Sequence, residues 1–307
     1  MNQGRAWLIL NGKQASNEEL REAVGYRREL GWDLSVRVTW EAGDVERLVE
    51  EAMRAGCTHV IAAGGDGTLS EVTQAMIDAR TSASLALIPL GTANDFARAA
   101  GIPLSPSDAM TLLDLPPVPV DVGRVASRCF LNMATGGVGS QVTASTSKEL
   151  KRVLGGGAYL LTGLSRFAEV HSVYGHFRGP GFDWEGEFLA FGVGNGRQAG
   201  GGQVLCPNAR IDDGKLELCI VPAPEDAVGT LGTLLAGGLQ GIEAVSVSAS
   251  LEWVHLQAPA PMDINLDGEP LSGRDFRFTV GRGALRLHLP ADSPLFEAAA
   301  GAVIDEA

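Results

Sequence analysis

Two apolar runs end in glycine loops that carry a carboxylate: "THVIAA" (Thr58–Ala63) leads into "GGDGTLSE" (Gly64–Glu71), and "LALIPL" (Leu85–Leu90) leads into "GTANDFA" (Gly91–Ala97). Glycine has no Cβ, so the backbone of Gly64, Gly65 and Gly67 can come close to a phosphate. A helix opening near Thr68 would aim free N–H groups and its positive end at the same place. Asp66 is the odd member, because a carboxylate repels phosphate unless a cation lies between them. Mg²⁺ carried by ATP would supply that bridge. The pattern therefore predicts a nucleotide–metal loop, with Thr68 as helix cap and phosphate donor. GGDG alone describes a tight, capped βα turn equally well; the second loop, offering Thr92, Asn94 and Asp95 to the same cleft, shifts the balance toward a ligand site. The chain has no GxxxxGK[ST] and no full GxGxxG, which disfavours a P-loop or an ordinary dinucleotide site.

Further acids sit at turns in the second half. In "INLDGEP" (Ile264–Pro270), Asp267-Gly268 reads as a turn followed by Glu269, so one acid can hold the turn while the other faces a ligand. In "NARIDDGKLEL" (Asn208–Leu218), Asp213-Gly214 is a second such turn just before a strand. Phosphoryl transfer needs a carboxylate to accept the proton of the attacking hydroxyl. Taken by itself, DGE is an ordinary surface hairpin.

The elements that must position these residues alternate through the first 120 or so positions: "AWLIL", "EELREAVGYRREL", "LSVRVTW", "DVERLVEEAMRAG", "THVIAA", "TLSEVTQAMIDA", "LALIPL". This is βαβα punctuation, the mark of a parallel sheet with helices on its faces. Asp44 is placed to cap the second helix and Gly56 to end it in a left-handed conformation. The strand "THVIAA" delivers Gly64 to the carboxyl edge of the sheet, where open α/β sheets bind ligands. The prolines of "LPPVPVDVGRV" (Leu115–Val125) exclude a helix and set a domain boundary near residue 122. Beyond it, "RCFLNMA", "EGEFLAFGVGNG", "KLELCIVP", "LEWVHLQA", "MDINLDGEP", "DFRFTVG" and "ALRLHLP" read as short strands of a mainly antiparallel sandwich, interrupted by helical stretches near 141–169 and 225–238.

Composition bounds the function. A length of 307 residues suggests two domains, and 45% hydrophobic with 20% charged residues describes a globular chain rather than a disordered one. The net charge of −13 lacks the basic footprint of nucleic-acid binding. Cys57, Cys129, Cys206 and Cys219 form no CxxC pair, which argues against a zinc site or disulfide framework and suits a reducing cytosol. The five histidines, His171 and His176 among them, show no metal-ligand spacing and read as structural or surface residues, and Trp32, Trp40, Trp184 and Trp253 read as core or interface packing residues. The first apolar run is too short for a signal peptide. The least charged segment, Ala227–Ile242, falls short of the ~20 residues a membrane span needs.

"GGDGTLSE" and "PLGTANDFA", at this separation, resemble the catalytic domain of diacylglycerol kinases, shared in outline with sphingosine kinases and more distantly with NAD kinases and phosphofructokinases. "LILNGK", "VRVTWEAGD", "FLNMATGGVG", "GNGRQAGGGQVLCPNA" and "INLDGEPLSG" narrow the resemblance to bacterial YegS-type lipid kinases, from the first strand to about residue 290. The resemblance implies an α/β nucleotide-binding domain (1–122), a β-sandwich lipid-substrate domain (123–290), a tail (291–307) returning to the first, and an active site in the cleft between them. It implies an ATP-dependent phosphotransferase acting on an alcohol group of diacylglycerol, phosphatidylglycerol or a similar lipid. ATP contacts fall on Thr39, on Gly65, Asp66, Gly67, Thr68, Leu69, Ser70 and Glu71, and on Thr92, with Asn94 beside them. Glu269 matches the proton acceptor, with Asp95 the second choice. A Mg²⁺ site, open to Ca²⁺, falls on the Asp213 carboxylate and the main-chain carbonyls of Arg210 and Lys215. Asp212, where asparagine is common, adds negative charge favouring the ion. Ala63 stands where the pattern usually has glycine, and Ser70 where it usually has asparagine; serine still donates a hydrogen bond. A non-catalytic nucleotide- or lipid-binding regulator and a soluble-substrate kinase related to NAD kinase are the competing readings. Retention of Asp66, Asp95 and Glu269 favours catalysis over the first; the "GNGRQAGGG" and "INLDGEP" motifs argue against the second. The setting is cytoplasmic, with peripheral contact at the inner leaflet through the basic, apolar segment Thr146–Val170 (Lys148, Lys151, Arg152), no nucleic-acid partner, and a homodimer left open.

Overall fold

The computed structural model describes residues 4–137, 172–223 and 245–296. The helical stretches expected near 141–169 and 225–238, the docking segment Thr146–Val170, His171 and the tail from 297 lie outside the described residues. The chain divides into two compact units, the first holding residues 1–122 and 282–296, the second holding residues 123–281.

In the first unit, β1 (Arg5–Asn11), α1 (Glu18–Glu29), β2 (Asp33–Thr39), α2 (Asp44–Arg54), β3 (His59–Gly64), α3 (Asp66–Asp78) and β4 (Ser84–Pro89) alternate as the apolar pattern requires. They are followed by α4 (Asp95–Ala100) and α5 (Pro106–Thr111). The strands are parallel in the order β2-β1-β3-β4, so the connections run one way from β1 to β2 and the other way through β3 and β4. Such an order places a topological switch at the carboxyl ends of β1 and β3. Val60, Ile61, Ala62 and Ala63 of β3 are fully buried, which explains a strand without polar alternation: helices cover both faces.

Capping differs from the pattern in two places. The cap position of α2 is Gly43, at φ 87°, and Asp44 is the first helical residue. Its carboxylate turns back to accept the N–H of Trp40 (2.7 Å) and Glu41 (3.0 Å) and pairs with Arg47 (2.6 Å). The Arg47 guanidinium, then those two N–H groups, hold the Asp44 carboxyl down to about 2. Helix α3 starts at Asp66 rather than Thr68, because Leu69 N already donates to Gly65 O at 3.1 Å. Gly56 does end α2 in the left-handed region, at φ 72°.

Arg286 and Leu287 pair in parallel with Ser84 and Leu85, and Ser293 Oγ donates to Ala100 O at 2.7 Å. The chain thus returns to the first unit at Arg282, ahead of the boundary at 290 that the resemblance implies, because the edge of β4 recruits it. Beneath this edge His288 packs on His59 with ring centroids 5.4 Å apart, faces Ser84 Oγ at 2.9 Å and donates from Nδ1 to the Leu115 carbonyl at 3.0 Å. Burial, then His288 and Arg286, push His59 down from 6.5 to about 4, and burial also lowers His288. Both imidazoles are held neutral, so below pH 6.5 the unfolded chain binds more protons and acid favours unfolding. The expected result is a thermal midpoint that falls by several degrees as pH drops from 6.5 towards 4, with a shallower slope in His59→Phe, which keeps the ring but cannot titrate. A slope unchanged by that substitution would assign the acid lability elsewhere.

The second unit is antiparallel. β5 (Val118–Val125) runs into it and pairs with β6 (Arg128–Phe130), and β7 (Met133–Gly137), β8 (Val173–Gly179) and β9 (Phe182–Gly194) follow. A small β10 (Gln198–Ala199) and β11 (Gln203–Val204) ribbon precedes β12 (Leu216–Pro222), β13 (Val247–Leu251), β14 (Trp253–Leu266) and β15 (Glu269–Leu287). "RCFLNMA" is two strands, broken at Leu131-Asn132, whereas "WVHLQA" with "MDINL", and "EP" through "ALRL", merge into the long β14 and β15. The merger in β14 runs through a bulge between Gln257 and Met262, which accommodates Pro259 and Pro261. β9 and β14 each pair with β8 along one half and with β7 along the other, wrapping the sheet around Phe177, Phe188, Phe191 and Phe278.

The tryptophans are not all in the core. Trp32 is buried at 7% exposure and Trp184 and Trp253 are partly buried, but Trp40 is 91% exposed. It lies past the last residue of an edge strand, in a turn clamped by Asp44, where no element among the described residues covers it.

Candidate active site

The two glycine loops meet directly in the first unit. Leu90 N donates to Gly64 O at 2.8 Å, and a Cβ on Gly91 would lie 2.6 Å from the Gly65 Cα. Any side chain at Gly91 would push the loops apart, so the spacing between "GGDG" and "GTAND" is one contact surface. Gly64 is similarly closed: a Cβ there would lie 2.2 Å from Thr68 Oγ1. Gly67 is different, since its Cβ would meet nothing within 4 Å and its φ is not positive. Among the described residues, nothing requires glycine at that exposed position.

Asp66 faces the second loop. Its carboxylate accepts the N–H of Asp95 (3.1 Å) and of Phe96 (3.0 Å), capping α4 from a distance in sequence. A carboxylate offers about four lone-pair sites, so two remain for a cation. Asn94 sits at φ 51°, accepts Gly91 N and donates to Gly91 O, each at 2.9 Å; it shapes the turn rather than reaching outward. Asp95 is buried at the start of α4, while Thr92 is exposed. Thr68 is buried against Gly64 and accepts from Asn11 Nδ2 at 3.4 Å, so the free side of this residue is its main-chain N–H. The Leu69 side chain is in the core and its N–H is used within the helix, leaving it as an anchor of the loop. Ser70 is half-buried and Glu71 exposed on the next turn. Thr39 ends β2 with its hydroxyl donating to Leu10 O at 3.4 Å. Helix α3 has no side-chain cap, so its first N–H groups are open to an anion.

In the second unit the two acids of "LDGE" have separate tasks. The Asp267 carboxylate accepts three N–H groups, from Leu131 (2.7 Å), Asn132 (3.1 Å) and Met133 (2.7 Å), and Asp267 sits at φ 47°. Those bonds explain the break in "RCFLNMA". Glu269 follows at the start of β15, with its side chain exposed. Asn195 and Gly196 both donate their N–H to Asn132 O, and Arg197 Nε donates to Ala209 O at 3.0 Å. The "GNGR" segment thereby ties the Asp267 turn to the chain just before Arg210.

At that second turn Gly214 takes φ 73° and Asp213 accepts Lys215 N at 2.9 Å. Asp212 is not a free charge for an ion, as its carboxylate lies 3.2 Å from the Arg210 guanidinium. Glu217 carries no signal in the sequence beyond its place in a strand; it is buried, and burial first, then the neighbouring Asp213, raises its carboxyl. An exposed carboxylate with a second acid beside it fits a hard cation held with main-chain oxygens. No group of three or more His, Cys, Asp or Glu side chains forms a metal cluster among the described residues.

A family model for the diacylglycerol kinase catalytic domain matches residues 5–125, and one for the YegS C-terminal NAD kinase beta sandwich-like domain matches residues 133–289. A Pseudomonas aeruginosa protein named "Probable lipid kinase YegS-like" is 61% identical over 96% of this chain and 97% of its own length. A relative of the same name from Pseudomonas fluorescens is 62% identical over 96% of this chain and 98% of its own length. A crystal structure of a diacylglycerol kinase from Bacillus anthracis superimposes with a TM-score of 0.73 at 23% identity, over 94% of this chain and 97% of that one, a likeness of fold. With both of its units matched in order along nearly the whole chain, the protein belongs to the YegS-type lipid kinases of the diacylglycerol kinase catalytic-domain family.

Proposed function

We propose that the chain transfers the γ-phosphate of ATP to a hydroxyl of a membrane lipid such as diacylglycerol or phosphatidylglycerol. The observation that carries this reading is Gly67: an exposed glycine that no described contact demands, at an uncapped helix start between two interlocked loops. Glycine there is explained by a ligand whose phosphates approach the main chain. The N–H groups of Gly67 and Thr68 bind the phosphates, Thr39 and Thr92 flank them, and the lone pairs of Asp66 not used by α4 face the cation that accompanies ATP. Mg²⁺, when bound, neutralises the charge developing on the transferred group. Glu269 accepts the proton of the attacking lipid hydroxyl, and Asp213 with the carbonyls of Arg210 and Lys215 holds a further divalent ion. Among the described residues no helix is long and apolar enough to cross a membrane. The lipid acceptor is met by peripheral contact.

The test is transfer of labelled γ-phosphate from ATP across a panel of diacylglycerol, phosphatidylglycerol and related lipids, with NAD and sugars as controls. Label on a lipid is expected; label on NAD or a sugar alone overturns the lipid assignment, and no label anywhere favours a binding protein. Gly67→Ala gives an independent check. It is expected to raise stability by about 0.4–1 kcal/mol, since alanine suits a helix better, while weakening ATP binding by roughly tenfold. Unchanged affinity in calorimetry would leave Gly67 without a ligand role.

A further inference from the structure

Trp40 has the most exposed large apolar side chain among the described residues, at 91%. Its turn is nevertheless tightly made: Asp44 accepts the N–H groups of Trp40 and Glu41, Arg47 pins Asp44, and Gly43 closes the turn at φ 87°. A clamped turn that presents an indole to solvent is built for something other than packing.

Its position says what. Trp40 follows Thr39, which is the register partner of Asn11 across β1 and β2. From there a chain of contacts reaches the phosphate loop. The Thr39 hydroxyl donates to Leu10 O, a Cβ on Gly12 would lie 2.5 Å from Thr39 O, and Asn11 Nδ2 reaches Thr68 Oγ1 at 3.4 Å. The order β2-β1-β3 puts two strand spacings, about 10 Å, between the end of β2 and the loop after β3. An extended nucleotide spans about that reach from its base to its outer phosphates. With phosphates at the start of α3, the ribose of such a nucleotide would cross the switch point over β1 and its base would reach the end of β2.

We infer that Trp40 is the stacking platform for the nucleobase of the phosphate donor, the element that makes this site prefer a nucleoside triphosphate over bare polyphosphate. The inference rests on the nucleotide-dependent kinase reading above. Stacking on an indole tolerates any base, because every base has a π-face, so Trp40 supplies affinity without choosing adenine over guanine.

The experiment is calorimetric binding of ATP, GTP and inorganic tripolyphosphate, each with Mg²⁺, to the full chain and to Trp40→Ala and Trp40→Phe. Trp40→Ala is expected to weaken ATP and GTP together by roughly 5- to 100-fold and to leave tripolyphosphate unchanged, while Trp40→Phe recovers most of the loss. ATP affinity unchanged in Trp40→Ala, with the parent protein binding ATP, overturns the stacking role and leaves the kinase reading standing. A parent protein that binds neither ATP nor tripolyphosphate overturns that reading and this inference with it. Trp40→Ala that retains ATP but loses binding to phosphatidylglycerol vesicles overturns stacking in favour of a membrane contact.

Discussion

Glu269→Gln is expected to lower turnover by at least ~10²-fold, the usual scale for loss of a general base, with thermal stability and ATP affinity unchanged. The expectation of structural silence comes from the division of labour in "LDGE". Asp267 carries the three hydrogen bonds that fix the turn, and Gly268 takes φ 103° and donates its N–H to Asn265 Oδ1 at 2.7 Å. Glu269 is exposed and outside that set of bonds, so an amide of the same size disturbs no part of it. Single-turnover transfer to a lipid, measured beside ATP binding, separates chemistry from affinity. Turnover close to that of the parent would pass the role of base to Asp95.

For Asp66→Ala, two losses are expected together. The α4 start loses its carboxylate acceptor at the Asp95 and Phe96 N–H groups, which costs about 2 kcal/mol, the upper end of helix-cap effects. Mg·ATP affinity also falls, by at least roughly tenfold. Asp66→Asn separates the two causes, because the amide keeps one acceptor oxygen for α4 but loses the charge that attracts the cation. If Asp66 acts through the metal, the advantage of the parent over Asp66→Asn in nucleotide binding disappears when Mg²⁺ is removed with EDTA. An advantage that persists without the metal would make Asp66 a loop-positioning residue only.

Much of the arrangement is legible in the order of the residues. The alternation from β1 to β4 follows from apolar runs of strand length set between helical periods, and the carboxyl-edge position of both loops follows from that alternation. The left-handed Gly56 follows from local chemistry as well. The departures are equally specific. Asp44 has the right type for a cap, yet Gly43 adopts the cap position, because the carboxylate does more by closing the turn behind it. Val173–Gly179 does not announce itself as a strand, since its alternation is interrupted by glycine and becomes meaningful only between β9 and β14.

By itself, the sequence determined the two-part organisation, the two glycine loops and the acids available for chemistry, because helix period, strand length and turn residues are properties of neighbours along the chain. Tertiary structure alone decided which acids are committed and which are free. Asp66 and Asp95 are 29 residues apart, and Asp267 and Leu131 are separated by 136, so no local pattern reveals that one carboxylate caps α4 and another closes three N–H groups. The same holds for Trp40, an apolar residue that pattern assigns to packing until the strand order leaves it at an edge with no described element above it. Hydrogen bonds and burial depend on what the folded chain brings alongside, and that is fixed only when β2, β1, β3 and β4 take their places.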